Sequence, residues 1–336
     1  MASPFILIVG AGSAGRRHAG NLSSLGARIA CFDPRPDRRT QVREELPKVE
    51  VHETLDAAFS GENRFAAAVI ASPPVFHVEQ AVACLKRGMA VLLEKPVSPD
   101  LASARRLQAE VQRVHVPLLL GYTYRWWPPF VELRRRLNNK VLGPLRHARI
   151  VMSAHLADWH PWERYQDFFM ASRELGGGAL LDESHFIDLM LWLFGRPRAI
   201  SGRVERLSSL EISTDDNVDL MAVYEDGFRV SIHLDLYGRP HEKSVTVVGE
   251  GGTLQCLFDP NSLRYSSRSA GPWETMSIPC ERNDMFLGVA REFIEILQHP
   301  TEPSCTIDDG VEVLRCVEAV RRSSAEERTI VLSDVS

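Results

Sequence analysis

The sequence predicts an α/β protein whose first third is a doubly wound parallel sheet and whose later part is β-rich. Three observations carry this. Short strands that are apolar throughout alternate with amphipathic helices as far as Gly121. A glycine-rich turn joins the first of these strands to the first helix. Beyond residue 198, strands alternate apolar and polar side chains instead. Strands that are apolar on both faces and separated by helices form a parallel sheet covered on both sides; strict alternation marks a half-buried antiparallel strand.

The elements follow in order. Strands are expected at Phe5–Val9, Arg28–Phe32, Val49–Val51, Ala67–Ala71, Ala90–Leu93 and Pro117–Leu120. Helices are expected at Ala14–Leu25, Asp37–Leu46, Leu55–Phe59, Val75–Arg87 and Pro99–Val114. After Gly121 comes an aromatic-rich stretch to Pro129, a helix over Pro129–Asn138 and a strand over Arg146–Leu156. A long polar-aromatic stretch, Ala157–Leu175, leads to three glycines at 176–178 and an apolar helix closed by Gly195. Val218–Tyr224 and Phe228–Leu236 flank Glu225-Asp226-Gly227, a hairpin turn. Two helices, Asp284–Leu297 and Asp308–Arg322, come late. The domain boundary is expected near 121–125, giving a domain over 1–121 and another over 122–336.

Composition excludes several classes. The chain has 336 residues, 44% hydrophobic and 25% charged, which suits two ordinary globular cores. A net charge of −5 gives no basic surface for nucleic acid or an anionic membrane. No apolar run approaches the ~18–20 residues a membrane span needs. The first apolar run has no basic segment before it and reads as a strand, not a signal peptide. The six cysteines lie far apart with no C-x-x-C pair, so neither a zinc ribbon nor a redox dithiol is expected, and a cytoplasmic location with reduced thiols is.

Gly10-Ala11-Gly12-Ser13-Ala14-Gly15 has the G-x-G-x-x-G spacing between a strand and a helix, the context in which it binds a dinucleotide. Gly10 permits a tight turn, Gly12 lets the backbone approach a diphosphate, and Gly15 lets helix and strand pack closely. The helix N-terminus adds free N–H groups and partial positive charge. The bland alternative is an ordinary tight turn. Asp33 ends the second strand, where a carboxylate accepts from ribose hydroxyls and repels a 2′-phosphate. This favours NAD; Arg35, Arg38 and Arg39 follow closely and keep NADP open. The bland alternative for Asp33 is a helix N-cap or turn residue before Pro34.

Two further segments end parallel strands, where open α/β sheets bind ligands. They are Ala71-Ser72-Pro73-Pro74, with His77 just after, and Glu94-Lys95-Pro96. A lysine there can stabilise a developing alkoxide beside a nicotinamide, or can simply be a surface lysine before a helix. On the helix after the glycines, Asp182, His185 and Asp188 recur every three residues and share an edge. An imidazole there suits proton transfer near neutrality. The alternatives are a solvated histidine, Asp182 as a cap and Asp188 paired with an arginine. No third ligand is fixed by spacing, so no metal is expected. Tyr122, Arg125 and Trp127, with Trp159, His160, Trp162, Arg164 and Tyr165, offer aromatic faces and guanidinium groups to a sugar, or serve interdomain packing. His233 and Asp235 look like solvent or subunit contacts.

Taken together, the chain resembles the Gfo/Idh/MocA family of NAD(P)-dependent oxidoreductases. The matching segments are Gly10–Gly15 followed by His18, Ala71-Ser72-Pro73, Glu94-Lys95-Pro96, Gly176-Gly177-Gly178 through Asp182 to His185, Gly249 to Leu254, and Ser323-Ser324-Ala325. The resemblance implies a Rossmann domain and a C-terminal α/β domain on a large, mostly antiparallel open sheet, with a substrate cleft between them. It implies Lys95, His185 and Asp182 as catalytic. Cofactor contacts are expected from Gly10, Gly12, Ser13, Ala14, Gly15, Asp33, Ser72, Pro73, His77, Glu94 and Lys95. Substrate contacts are expected from Tyr122, Arg125, Trp162, Tyr165, Asp182 and His185. One departure is that His185 stands three residues after Asp182, where the family pattern has four. The expected substrate is a sugar, nucleotide sugar or polyol; the expected assembly is a homodimer or homotetramer packed through the β-rich half. The alternatives are an enzyme that retains NAD through a redox-assisted elimination, and a non-catalytic NAD sensor.

Overall fold

A computed structural model describes residues 3–61, 65–159, 163–258, 260–267, 271–299 and 301–335. The chain divides into two compact units. The first comprises Met1–Thr123 with Asn283–Val311, and the second Tyr124–Arg282 with Glu312–Ser336. The sequence alone assigned all of 122–336 to the second domain. The late segment 283–311 departs from that because its contacts are made with the first unit. Asn283 and Asn21 exchange side-chain hydrogen bonds, Phe286 meets the His18 ring edge-on at 5.7 Å, and the Leu120 N–H donates to the Cys305 carbonyl.

In the first unit, strands β1 (Phe5–Val9), β2 (Arg28–Phe32), β3 (Glu50–His52), β4 (Ala67–Ile70), β5 (Ala90–Leu93) and β6 (Leu118–Leu120) form one parallel sheet, ordered β3-β2-β1-β4-β5-β6. The helices between them are α1 (Ser13–Ser24), α2 (Pro36–Glu45), α3 (Leu55–Ser60), α4 (Pro74–Leu85) and α5 (Leu101–Val114). β1, β4, β5 and β6 are buried along their whole length, as apolar strands covered on both faces must be. Local chemistry sets the helix starts. Thr54 caps the Ala57 N–H, Asp100 caps the Ser103 N–H, and Pro74 opens α4 where no N–H is required. Strand order reverses between β1 and β4, which opens a crevice at their C-terminal ends.

The second unit begins with a 3₁₀ turn (Thr123–Trp126), α6 (Pro128–Asn138) and β7 (Leu145–Ser153). Short 3₁₀ turns over 156–175 lead to α7 (Ala179–Asp182) and α8 (His185–Phe194). Strands β8 (Ala199–Glu205), β9 (Asn217–Val223), β10 (Arg229–Asp235), β11 (Glu242–Gly249), β12 (Gly252–Phe258), β13 (Asn261–Ser267) and β14 (Glu274–Ser277) follow. Then come α9 (Arg282–Gln298), α10 (Ile307–Glu326) and β15 (Ile330–Val331). The sheet has nine strands, ordered β14-β13-β12-β11-β7-β10-β9-β8-β15, and only the β7–β10 pair is parallel. Gly227, at φ 83°, turns β9 into β10 as the Glu-Asp-Gly signal predicts. Ala148, Ile150, Val230, Ile232, Leu220 and Ala222 are buried on one face, against which α6 and α7 pack.

The opposite face is polar. There His233 lies between two carboxylates, Nδ1 2.7 Å from Asp219 and Nε2 3.0 Å from Asp235. The hydrogen bond to Asp235, then partial burial working against it, then Asp219, bring its pKa up to about 9. Inside the unit, Arg125 and Asp188 form a buried pair, with Nη2–Oδ1 at 2.6 Å and Nε–Oδ2 at 3.0 Å.

Two predictions follow from these contacts. A folded-state pKa above the ordinary imidazole value of ~6.5 means the native state binds the proton more tightly. The stabilisation is therefore full below about pH 6.5 and lost as pH rises through about 9. Thermal unfolding followed from pH 6 to 10 should show a falling midpoint that flattens in His233→Gln. Arg125→Met should cost roughly 3–5 kcal/mol in denaturant unfolding, because it strands a buried carboxylate.

Candidate active site

The glycine turn is shaped by backbone contact. Gly10 has φ 96°, and a Cβ there would lie 2.8 Å from the Ala71 carbonyl oxygen. A Cβ on Gly15 would lie 1.8 Å from the Gly10 carbonyl oxygen, so α1 and β1 can approach only through glycine. Gly12 differs, since a Cβ there would meet nothing within 4 Å. Gly12 is also the N-cap of α1, no side chain caps it, and Ser13 at the head of the helix is exposed. An unoccluded helix N-terminus with a flat glycine before it fits a diphosphate.

Asp33 is 7% exposed, and both its oxygens accept backbone N–H groups: Oδ2 from Ala11 at 2.7 Å and Oδ1 from Arg35 at 2.9 Å. The carboxylate thus braces the turn and retains lone pairs for ribose hydroxyls. Arg39 donates to the Asp33 and Pro34 carbonyls and pairs with Glu53, while Arg35 pairs with Asp37. Two of the three arginines that kept NADP open are therefore committed to carboxylates of the chain itself.

The ends of β4 and β5 are tied together by His77. Its ring is fully buried, with Nε2 2.8 Å from the Ser72 carbonyl and Nδ1 2.8 Å from the Pro96 carbonyl. Burial holds its pKa below the usual imidazole value, against the pull of the two carbonyls. His77 was expected to touch the cofactor; both its nitrogens face carbonyls of the protein itself. Ser72 donates to Gln80 at 2.5 Å, and Pro73 caps α4. The Lys95–Pro96 peptide bond is cis. Glu94 is 8% exposed, with Oε1 2.6 Å from His18 Nε2 and Oε2 accepting the Lys95 N–H at 3.3 Å. Burial pushes its carboxyl up, but the His18 hydrogen bond and the charges of His18 and Lys95 outweigh this and hold it below the ordinary range. Gly121 passes so close that a Cβ there would lie 3.3 Å from the Glu94 carboxyl carbon.

In the second unit the single helix expected after the three glycines is two. α7 ends at Asp182, Glu183 and Ser184 break the run, and His185 opens α8. The shared helical edge of Asp182, His185 and Asp188 is therefore interrupted, and Asp188 is spent on Arg125. Arg125, expected as a substrate fork, is held in this buried ion pair. The glycines are also not left open for a ligand. A Cβ on Gly177 would lie 2.4 Å from the Met170 and Phe169 carbonyls, and one on Gly178 would lie 2.4 Å from the Asp215 carboxylate. That carboxylate receives the Leu180 N–H at 2.8 Å and starts α7. Burial lifts its pKa, with the Leu180 bond acting against it. Asp182 is 5% exposed, whereas His185 keeps partial access to solvent. The His185 ring lies 4.7 Å from the Tyr124 ring, tilted by 36°.

Tyr122 is fully buried in the first unit, and the Tyr165 hydroxyl accepts the Glu211 N–H at 3.3 Å. Trp162, with His160, lies outside the described residues. Among the described residues, no three His, Cys, Asp or Glu side chains are gathered to hold a metal, and no helix is long and apolar enough to cross a membrane. Sequence reasoning missed Tyr124, Asp215 and Lys243. Each acts through a partner distant in sequence, so no local spacing marks it.

Comparison with known proteins agrees with this geometry. Residues 5–122 match the oxidoreductase family with an NAD-binding Rossmann fold, and residues 130–255 match the GFO/IDH/MocA C-terminal domain. The chain belongs to the GFO/IDH/MocA oxidoreductase family. It is an NAD(P)-dependent oxidoreductase by that membership. Myo-inositol dehydrogenase Hyg17 of Streptomyces leeuwenhoekii is 28% identical, over 95% of this chain and 97% of that protein. The scyllo-inositol 2-dehydrogenase (NADP(+)) of Bacillus subtilis is 24% identical, over 88% of this chain and 86% of its own. Levoglucosan dehydrogenase, solved with NADH and levoglucosan, superposes with a TM-score of 0.88 at 16% identity, over 98% of this chain and all of the other.

The two glycines should separate experimentally. Gly15→Ala forces apart the turn and the helix, so both the melting temperature and NADH affinity should fall, the latter by roughly tenfold or more. Gly12→Ala enters free space and should leave the melting temperature of the unliganded protein near wild type while weakening NADH binding. Differential scanning fluorimetry with and without NADH reads both.

Proposed function

We propose that this protein is a dehydrogenase or reductase of a sugar, nucleotide sugar or polyol, acting at a hydroxyl-bearing carbon with NAD as its preferred cofactor. The observation that carries the reading is a lysine held by a braced loop at the end of β5, in the same unit as an open glycine turn. The relatives named for inositol and levoglucosan support the substrate class. NAD, when bound, supplies the hydride acceptor, or in the reverse direction NADH supplies the donor.

The chain's own residues do the rest. The first N–H groups of α1 bind the diphosphate, and Asp33 receives the adenosine ribose. Lys95 binds the reacting hydroxyl and stabilises the negative charge that grows on its oxygen. His185 takes the hydroxyl proton as general base, and Asp182 orients it or holds a neighbouring hydroxyl. Tyr122 and Tyr165 remain proposed substrate contacts. The reading includes a homodimer or homotetramer packed through the β-rich unit, and a cytoplasmic location in which the thiols stay reduced. Burial pushes the Cys31, Cys84 and Cys316 thiols up to about 12, so they are unreactive at neutral pH.

His185→Ala should lower kcat by ~10²–10⁴-fold with NADH binding retained, and Lys95→Ala by a similar ~10²–10³-fold, with the melting temperature of the unliganded protein retained in both. The measurement is absorbance of the reduced nicotinamide against a panel of sugars, polyols and nucleotide sugars. Turnover near wild type in a folded variant removes that residue from the mechanism.

A further inference from the structure

Lys243 stands on the wrong face of its sheet for a lysine. In β11 it is followed on the same face by Val245 and Val247, both fully buried, and it pairs in register with buried Met152 of β7. Long charged side chains are rarely placed among apolar neighbours without a partner. Among the described residues, no carboxylate comes within ion-pair distance of Lys243.

What it does meet is the proton-transfer candidate's neighbour. The Lys243 ammonium lies 5.9 Å from the centre of the Tyr124 ring, the ring that packs against His185 at 4.7 Å. Phe130, Phe186 and Phe258 surround the rest of Tyr124, with ring centres 5.0–6.0 Å apart across the group. Burial works against the lysine's charge, but Tyr124 and the charge of Glu183 outweigh it, and its pKa stands above the ordinary lysine value. Arg282 is a second cation within electrostatic reach. An ammonium has three donors, and a phenol oxygen occupies one of them. The residue as a whole is half-buried. An aromatic wall lowers the local dielectric and strengthens the attraction to any anion that enters.

We propose that Lys243 recognises a negatively charged group, a carboxylate or a phosphate, on the sugar that this enzyme oxidises or reduces. This rests on the dehydrogenase reading, with His185 as the base. The charged group would lie beside Tyr124, with a hydroxyl of the same molecule turned to His185. Lys243 would then set which sugars are accepted, while the proton and hydride steps stay with the groups already described.

The test uses the NADH-loaded protein and matched sets of probes: glucose, galactose and mannose, their uronates and their hexose phosphates. Binding is measured by calorimetry and turnover by nicotinamide absorbance, in wild type, Lys243→Met and Lys243→Arg. At least one charged probe should bind about tenfold more tightly than its neutral parent, a margin that Lys243→Met removes and Lys243→Arg partly restores. The margin falling on the uronate assigns a carboxylate; falling on the phosphate, it assigns a phosphate. Equal binding of charged and neutral probes overturns the proposal. So does an equal loss on both in a Lys243→Met variant of normal melting temperature, or failure of every charged probe to bind. A charged probe that binds through Lys243 but is never oxidised leaves the site standing and defeats the dehydrogenase reading. Neutral sugars oxidised without regard to Lys243 do the reverse.

Discussion

The buried hydrogen bond between Glu94 and His18 is the contact on which the first unit's chemistry depends. His18 belongs to the helix that begins at the glycine turn, and Glu94 precedes the lysine at the end of β5. One 2.6 Å bond therefore fastens the lysine loop to the helix that follows the glycine turn. His77 fastens the same loop to the end of β4 through the Ser72 and Pro96 carbonyls. Loops at the ends of parallel strands leave backbone carbonyls that must be satisfied. Here buried His77 faces two such carbonyls while His18 holds the Glu94 carboxylate, and the main chain beside Lys95 is held before any ligand arrives, which is the preorganisation that catalysis requires.

The second unit solves a similar problem by steric means. Three consecutive glycines let the chain pass against the Phe169 and Met170 carbonyls and the Asp215 carboxylate. That contact starts a four-residue helix, and the break after it puts His185 at the head of the next one. The imidazole packs beside the Tyr124 ring at the head of that helix. The departure from the family's Asp-to-His spacing falls at this break. Asp182 and His185 lie on separate short helices, so their relation is set by the Glu183–Ser184 turn and not by helical pitch.

The unit's buried cations are treated in different ways. Arg125 is matched by Asp188 through hydrogen bonds from Nε and Nη2, which offsets much of the cost of burying both charges. Among the described residues, Lys243 has a phenol and the more distant charge of Glu183 to offset its own burial. On the polar face of the sheet, His233 is charged because two carboxylates flank it, and its pairing with the solvent-facing Asp219 keeps that charge near the surface.

The sequence by itself determined the architecture of the first unit and the place of its cofactor turn. Strand apolarity, proline and glycine positions and the G-x-G-x-x-G spacing are local signals, and steric rules convert them directly into backbone geometry. It also shows that Lys95 ends a buried strand and that His185 follows three glycines at an apolar helix. Tertiary structure alone decided how the polar groups pair. Asp188 takes Arg125, His77 turns inward, Asp215 reaches back to Leu180, and residues 283–311 return to the first unit. Each of these joins residues far apart in the chain, and hydrogen bonding and desolvation choose such partners by position in space, for which one-dimensional spacing holds no record.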